Sequence, residues 1–186
     1  SRTDSSFNRQ IEQEYGNQSN ELTFQELQRK IEAKRDRELK TLRTTLASQT
    51  HTLKASEGYE RYKLTADLLS AYQHLLKDNQ SSIVLEDWES GSEHFIELEP
   101  KLKGRENILL YYEKYQKAKG SYENALAEFG KVQAQLQACE AHYSRLLDPG
   151  LDQQTAIRAM KRELAGSQDK QQDKIQTPGL TIQSGQ

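Results

Sequence analysis

The sequence predicts an α-rich, mostly helical fold: a long intrachain antiparallel coiled coil with a small α+β insert, a β-hairpin and helices, at its tip. Three features lead there. Tyr115, Ala118, Tyr122, Ala125, Phe129, Val132, Leu136, Cys139, Tyr143 and Leu146 recur at alternating steps of three and four, which lays one seam along a helix and calls for a partner to cover it. Phe24, Leu27, Ile31, Leu39, Leu42, Leu46 and Leu53 form a less regular seam upstream, on a stretch with no Gly or Pro from Glu21 to Glu57. Between the seams the pattern changes to a wider helical stripe and then to short alternating runs, as in a globular insert. Covering one seam with the other returns both chain ends to the base of the arm.

Residues 1–20 are polar and carry Phe7, Ile11 and Tyr15 at steps of four, enough for a short docking helix in a base segment. Asn20 as N-cap, or Thr23 with Glu26 as a capping box, starts the first arm, residues 21–57. Ile31 and Leu39 are eight residues apart where a strict heptad places seven, a slip that alters the local supercoil. Arg29, Lys30, Lys34, Arg35, Arg37, Lys40 and Arg43 surround the slip. They read either as a solvated face paired locally with Glu32, Asp36 and Glu38, or as a contact surface for phosphates or an acidic protein.

Gly58 ends the arm and opens the tip, residues 58–110. Tyr62, Ala66, Leu69, Tyr72 or Gln73, and Leu76 form a helical stripe, widened by Leu68 and Leu75, that stops at Asp78-Asn79-Gln80. Ser82–Trp88 and His94–Glu99 read as strands joined by residues 89–93. Pairing Val84 with Leu98 and Trp88 with His94 places these four on one face and Ile83, Leu85 and Phe95 on the other. Trp88 reads as a core residue, with an exposed docking ring as the alternative. Pro100 ends the second strand, and Gly104 loosens the link to a helix from Glu106 to Leu147, roughly 60 Å long.

The second arm is residues 111–148. Its large rings require small residues opposite, which predicts locally splayed packing. Asp148-Pro149-Gly150 terminates it. A short base helix, 149–165, follows with Ile157, Met160 and Leu164 on one side, and 166–186 reads as a flexible linker. Ser1 is not an initiator methionine, so the sequence reads as a mature product or an excised piece, and the linker-like tail predicts that the intact polypeptide continues into another domain.

Composition agrees with an elongated shape. Of 186 residues, 34% are hydrophobic and 29% charged, and the mean hydropathy is -0.96, which is little apolar material for a large spherical core. The net charge of -2 does not advertise nucleic-acid binding, but its distribution is segregated. Residues 29–43 hold seven basic and three acidic residues, 78–100 hold seven acidic and no Lys or Arg, and 101–119 hold six basic and two acidic. Cys139 is the single cysteine, which excludes an internal disulfide and suits a reducing cytoplasm. The longest apolar run, Ile108–Tyr112, is far too short to cross a bilayer, and no signal peptide is evident, so no membrane partner is expected.

No catalytic constellation emerges. His51, His74, His94 and His142 are scattered and sit beside no cysteine, so no zinc spacing is present. Glu86, Asp87, Glu89, Glu93, Glu97 and Glu99 crowd the strands and read as solvated, not as a converging acid/base pair. The expectation is a protein without enzymatic activity, metal or cofactor. The remaining signal is Lys101, Lys103, Arg105, Lys114, Lys117 and Lys119 interleaved with Tyr111, Tyr112 and Tyr115. Cations with rings can hold a nucleic acid by phosphate contact and stacking, although helix packing is expected to bury most of these rings.

Residues 62–72 (YKLTADLLSAY), Ile96-Glu97-Leu98-Glu99-Pro100-Lys101-Leu102, Glu106-Asn107 and residues 111–119 (YYEKYQKAK) resemble the middle part of the NFACT family of RqcH-type and fibronectin-binding-protein-A-type proteins. Order and spacing agree over residues 56–120. Weaker likeness reaches the flanking arms, Phe7–Tyr15 and Ala156–Leu164. Glu99 stands for the family's usual Asp, Gly104-Arg105 for a Ser-Pro-like pair, Ile108-Leu109 for Ala-Gln, and Ala66-Asp67 for the common Gly-Glu.

The resemblance implies a coiled-coil arm and middle domain set between an NFACT-N plus helix-hairpin-helix region and an NFACT-R domain. It also implies a function, that of a cytoplasmic, non-enzymatic ribosome-docking arm of a ribosome-associated quality-control factor. The partner would be the large ribosomal subunit, rRNA and ribosomal protein, carrying a stalled nascent chain; tRNA contacts would be made mainly by domains absent here. The six tip-side cations, with Arg35 and Arg43, would contact phosphates, and the isolated chain would be a monomer. An extracellular-matrix (fibronectin) or other protein-binding arm is the alternative, and a structural coiled-coil spacer a third reading.

Overall fold

The computed structural model describes residues 2–175, with side chains placed for residues 3–170. In chain order the elements are α1 (Arg2–Ser56), α2 (Tyr59–Ala71), a short 3-10 turn (Gln73–Leu75), β1 (Ser82–Asp87), β2 (Ser92–Glu97), α3 (Gly104–Leu146) and α4 (Gln153–Ile175). They group into two compact units, Ser1–Leu42 with Gln135–Gln186, and Arg43–Ala134. Every residue of the downstream seam, and every residue of the upstream one, is buried or half-buried. The alternating steps therefore identify the packed faces.

Several boundaries differ from the sequence reading: α2 ends at Ala71 and gives way to the 3-10 turn, short of the predicted stop at residues 78–80, and β2 runs Ser92–Glu97 where the pattern predicts 94–99. α1 runs unbroken from Arg2 through Gly16 and both candidate caps, so no separate base helix forms over 1–20. A lone helical glycine costs only about 1 kcal/mol, and Phe7, Ile11 and Tyr15 are exposed along the continuous helix. α3 starts at Gly104, whose position is tight: a Cβ there would stand 2.9 Å from Leu76 Cβ. This glycine admits a close approach and does not loosen the link. α4 reaches Ile175, so residues 166–175, read as linker, are helical. Their Gln and Lys content favours a helix. Residues 176–186 lie outside the described residues.

In the unit of residues 1–42 and 135–186, Ile31, Tyr143, Ala156 and Met160 form the core, with Phe24, Leu27, Leu146, Leu147, Leu151 and Leu164 packed around it. Asp148 Oδ1 accepts the Gly150 N–H at 2.8 Å, and Asp152 caps α4 by accepting the Thr155 N–H at 3.0 Å. A polar layer crosses this core. Lys34, with a side chain only 15% exposed, lies 2.5 Å from Glu163 and 3.1 Å from Glu38, and donates to the Tyr143 hydroxyl at 3.1 Å. Tyr143 in turn donates to Glu38 at 2.7 Å, and His142 Nε2 sits 3.0 Å from the second oxygen of Glu163.

Lys34 and Glu38 occupy the positions that steps of three and four from Leu27 and Ile31 would assign to apolar residues. The slip before Leu39 is thus where the seam turns polar. Burial opposes each of these charges, but the mutual hydrogen bonds outweigh it: Lys34 is held above its usual value, and Glu38 and Glu163 below theirs. Tyr143 is pushed up to about 12, first by burial and then by its bond to Glu38.

In the unit of residues 43–134, Ala66, Leu68 and Leu69 of α2 pack against Leu85 and Ile96 of the hairpin, Leu98, and Ile108 and Tyr111 of α3. The hairpin register corrects the expected pairing. Val84 opposes Phe95, not Leu98, and His94 opposes Leu85, not Trp88. Asp87 sets this register by closing the turn early. Its Oδ1 accepts the Glu89 N–H at 3.0 Å, its Oδ2 accepts the Ser90 hydroxyl at 2.7 Å, and its carbonyl accepts the Gly91 N–H at 2.7 Å, with Gly91 at φ +70.

The turn therefore takes residues 88–91, and an odd shift in register exchanges faces. Ile83 and Leu85 keep their shared inner face with His94, Ile96 and Leu98, while Val84 and Phe95 point to solvent. Trp88 is 74% exposed, so the core reading of this ring does not hold. Tyr72 and Tyr111 donate to the Glu86 and Glu97 carbonyls at 3.1 and 2.7 Å, fastening the two strands to the helices.

The polar layer makes stability depend on pH. Glu38 and Glu163, bound below the ordinary carboxylate value of 4.5, contribute stability that is complete above that pH and lost as pH falls through their folded values. Tyr143, raised from 10.0 to about 12, contributes stability complete below pH 10 and lost as pH rises toward 12. Lys34→Met is expected to cost about 2 kcal/mol at neutral pH by removing the cation that two carboxylates share, leaving Glu38 with Tyr143 and Glu163 with His142, and to flatten the acid-side dependence. Urea denaturation between pH 3 and 7, a range set by this linkage to span roughly the carboxylate titration, checks both.

Candidate functional site

The segment between β2 and α3 turns sharply, and its backbone groups need partners. One side chain supplies most of them. Asn107, 2% exposed, accepts the Glu99 N–H through Oδ1 at 2.8 Å and directs Nδ2 at the carbonyls of Glu99, Leu102 and Lys103 at 3.2, 3.3 and 3.4 Å. Glu106 accepts the Lys103 N–H at 2.7 Å, the back-reaching half of a capping box. Residues 99–103 are thereby fixed against the first turn of α3, which sets where Lys101, Lys103 and Arg105 leave the backbone. All three are exposed.

Lys114 and Lys117, nearly one turn apart on α3, line an open cleft of about 410 Å³ with His51 and Thr52 of α1 and Tyr62 of α2. A second cleft of about 320 Å³ shares Tyr62 and is lined by Lys54, Arg61, Thr65 and Tyr111. Tyr62 is 39% exposed and contributes to both. Its ring packs on Tyr111 at a centroid distance of 6.5 Å, and Lys114 Nζ lies 4.6 Å from the Tyr111 centroid. Nearby, Tyr59 packs against Tyr115 and Tyr122 at 6.1 and 5.4 Å, and Lys119 stands 5.8 Å from the Tyr115 ring and 3.9 Å from Glu123. The tyrosines of α3 are thus mostly packed, and Tyr62 of α2 presents the accessible ring.

The sequence candidates are only partly gathered. Lys114 and Lys117 share one cleft, and Lys101, Lys103 and Arg105 cluster at the start of α3. Among the described residues no ion pair engages the side chains of these five. Arg43 lies exposed on α1 in the same unit and has partners of its own. Arg35 belongs to the other unit, where it pairs with Asp36 at 2.9 Å.

The sequence reading missed Lys54, Arg61 and Tyr62 as a set, because they flank the break at Gly58 and belong to no charge run. Gly58 makes the arrangement possible: a Cβ there would lie 2.7 Å from Arg61 Nη2, so the guanidinium folds back over the glycine. Asp67 links two neighbours, at 2.8 Å from Lys63 and accepting from Tyr112 at 2.6 Å. Its carboxyl is held below the usual range first by the Lys63 bond and then by Tyr112.

Chemically, this assembly offers cations on helices around a tyrosine face, suited to phosphate contact and base stacking. The described residues include no group of His, Cys, Asp or Glu that could hold a metal. The Cys139 thiol is raised first by burial and further by Glu38, which suppresses its thiolate. No helix among the described residues is long and apolar enough to cross a membrane.

Residues 1–177 match the sequence profile of a family described as NFACT N-terminal and middle domains. The chain is similar to the Rqc2 homolog RqcH of Streptococcus suis (strain 05ZYH33), 35% identical over 82 residues, covering 44% of this chain and 15% of that protein. It is also 24% identical over 151 residues to the Rqc2 homolog RqcH of Streptococcus pneumoniae (strain ATCC BAA-255 / R6), covering 81% of this chain and 27% of that protein. The chain spans less than a third of the length of these curated relatives.

Asn107→Ala removes the brace under the cationic turn. The expected loss is about 2 kcal/mol, from backbone groups left without partners, with faster amide exchange at Glu99. Thermal denaturation and hydrogen exchange of the variant check this.

Proposed function

Because this chain belongs to the family of NFACT N-terminal and middle domains, we propose that it is a non-enzymatic docking arm through which a ribosome-associated quality-control factor engages the large ribosomal subunit carrying a stalled nascent chain. The designation of its relatives as Rqc2 homologues supports the setting. The observation that carries the reading is Tyr62 between two clefts lined by Lys54, Arg61, Lys114 and Lys117. Phosphate contacts supply affinity without reading sequence, and an exposed ring beside them stacks on an unpaired base. Ribosomal RNA offers both.

Lys101, Lys103 and Arg105 extend the contact, and Lys119 and Arg43 add long-range attraction. Arg35 takes a smaller share because Asp36 neutralises it. We read residues 58–110 as the tip, between arms 21–57 and 111–148 of an antiparallel coiled coil. Within one unit this is supported by Lys34 beside Tyr143 and Glu38 beside Cys139, and within the other by the cleft that His51 and Thr52 of α1 share with Lys117 and Ala118 of α3. The setting is cytoplasmic, with tRNA contacts assigned to other parts of the polypeptide.

Arg61→Glu, Lys114→Glu and Lys117→Glu together are expected to abolish co-sedimentation with purified large subunits at moderate salt. Binding recovered at low salt should show a log–log salt slope smaller by about 2–3, since each cation lost removes roughly 0.7–0.9. Co-sedimentation equal to wild type, with an unchanged slope, contradicts the proposal.

A further inference from the structure

The solvent face of the β1–β2 hairpin carries chemistry opposite to that of the cationic clefts. Val84 and Phe95 are direct cross-strand partners, 55% and 67% exposed. The Leu98 N–H donates to the Ser81 carbonyl, and antiparallel ladders alternate, so Val84 and Phe95 form a non-hydrogen-bonded pair whose side chains stand closest together. The inner face of the sheet already buries Leu85 and Ile96, leaving this second apolar pair wet.

Carboxylates bracket the pair on the same face. Glu97 lies on one side, and Glu86 directly opposite Glu93 on the other. Like charges set opposite each other destabilise a hairpin, and none of the three has an ion-pair partner among the described residues. No Lys or Arg occurs from residue 78 to 100.

We propose that this face docks a cationic protein segment, with a Lys or Arg between Glu86 and Glu93 and an apolar side chain on Val84 and Phe95. The sign of the charge decides among occupants. A nucleic acid or an anionic membrane would be repelled, and a second copy of the chain meeting this face symmetrically would bring the same carboxylates to the contact. A basic segment relieves the Glu86–Glu93 repulsion and covers the apolar pair at once. The inference stands apart from the docking of RNA at Tyr62, because it concerns other residues and the opposite charge.

Trp88, the sole tryptophan, sits exposed in the hairpin turn and reports binding by its emission. The 186-residue chain is titrated with a soluble peptide alternating Lys and Leu, and with counter-probes alternating Lys with Gly and Glu with Leu, and a polyuridylate oligomer. The Lys-Leu peptide is expected to shift Trp88 emission saturably, and the counter-probes to produce that shift with at least tenfold lower affinity (about 1.4 kcal/mol), RNA held at the Tyr62 clefts leaving it unchanged.

Val84→Thr with Phe95→Thr, exposed positions that keep a strand-compatible residue, should weaken the Lys-Leu peptide at least tenfold. Glu86→Gln with Glu93→Gln should do the same while reducing salt dependence, and decides the matter if the first pair disturbs the fold by circular dichroism. The proposal is overturned if the Lys-Leu peptide gives no response, if both variants bind like wild type, or if polyuridylate or Lys-Gly shifts Trp88 emission with equal affinity. It is equally overturned if light scattering shows dimers that Val84→Thr with Phe95→Thr dissolves, since the face would then belong to a second copy.

Discussion

A carboxamide sealed from water must satisfy one oxygen and two N–H groups from its immediate surroundings, and Asn107 does so with the backbone of Glu99, Leu102 and Lys103. That exchange joins the end of the hairpin to the start of α3 without a flexible linker. Tyr72 and Tyr111 complete the attachment by binding strand carbonyls. The acidic run before Pro100 and the basic run after it therefore leave one braced corner in defined directions. Cations held on braced backbone lose less freedom on binding than cations on a loose loop, which is the physical gain of the arrangement.

Much of this was legible from residue spacing. Every residue that alternating steps of three and four pick out from Tyr115 to Leu146 is packed, and Gly58 and Asp148-Pro149-Gly150 marked real helix ends. The slip between Ile31 and Leu39 was visible, but its meaning was not. Lys34 and Glu38 look like members of a solvated charge run until Tyr143 and Glu163, over a hundred residues away in sequence, are brought against them. Long-range pairing of this kind leaves no local periodicity.

The hairpin shows the opposite limit. Both strands were apparent, yet the register was wrong, because a side-chain turn at Asp87 outweighs the apparent symmetry of the apolar residues. The error moved Phe95 and Trp88 between inside and outside. At the candidate site, the charge runs revealed Lys101 to Lys119 but not Lys54, Arg61 and Tyr62, which converge only when α1 and α2 meet at Gly58. The consequence is one unit, Arg43–Ala134, with two chemistries, cationic clefts around an aromatic ring and an acidic hairpin with an apolar centre.

The central claim is that the Tyr62 clefts hold a polyanion on the large subunit. Ultraviolet zero-length cross-linking of the chain on purified large subunits, followed by peptide mapping, tests it most directly. The account predicts rRNA adducts on the peptides carrying Tyr62 and Lys114–Lys117; adducts confined to other peptides, or no RNA adduct on a chain that remains bound, would contradict it.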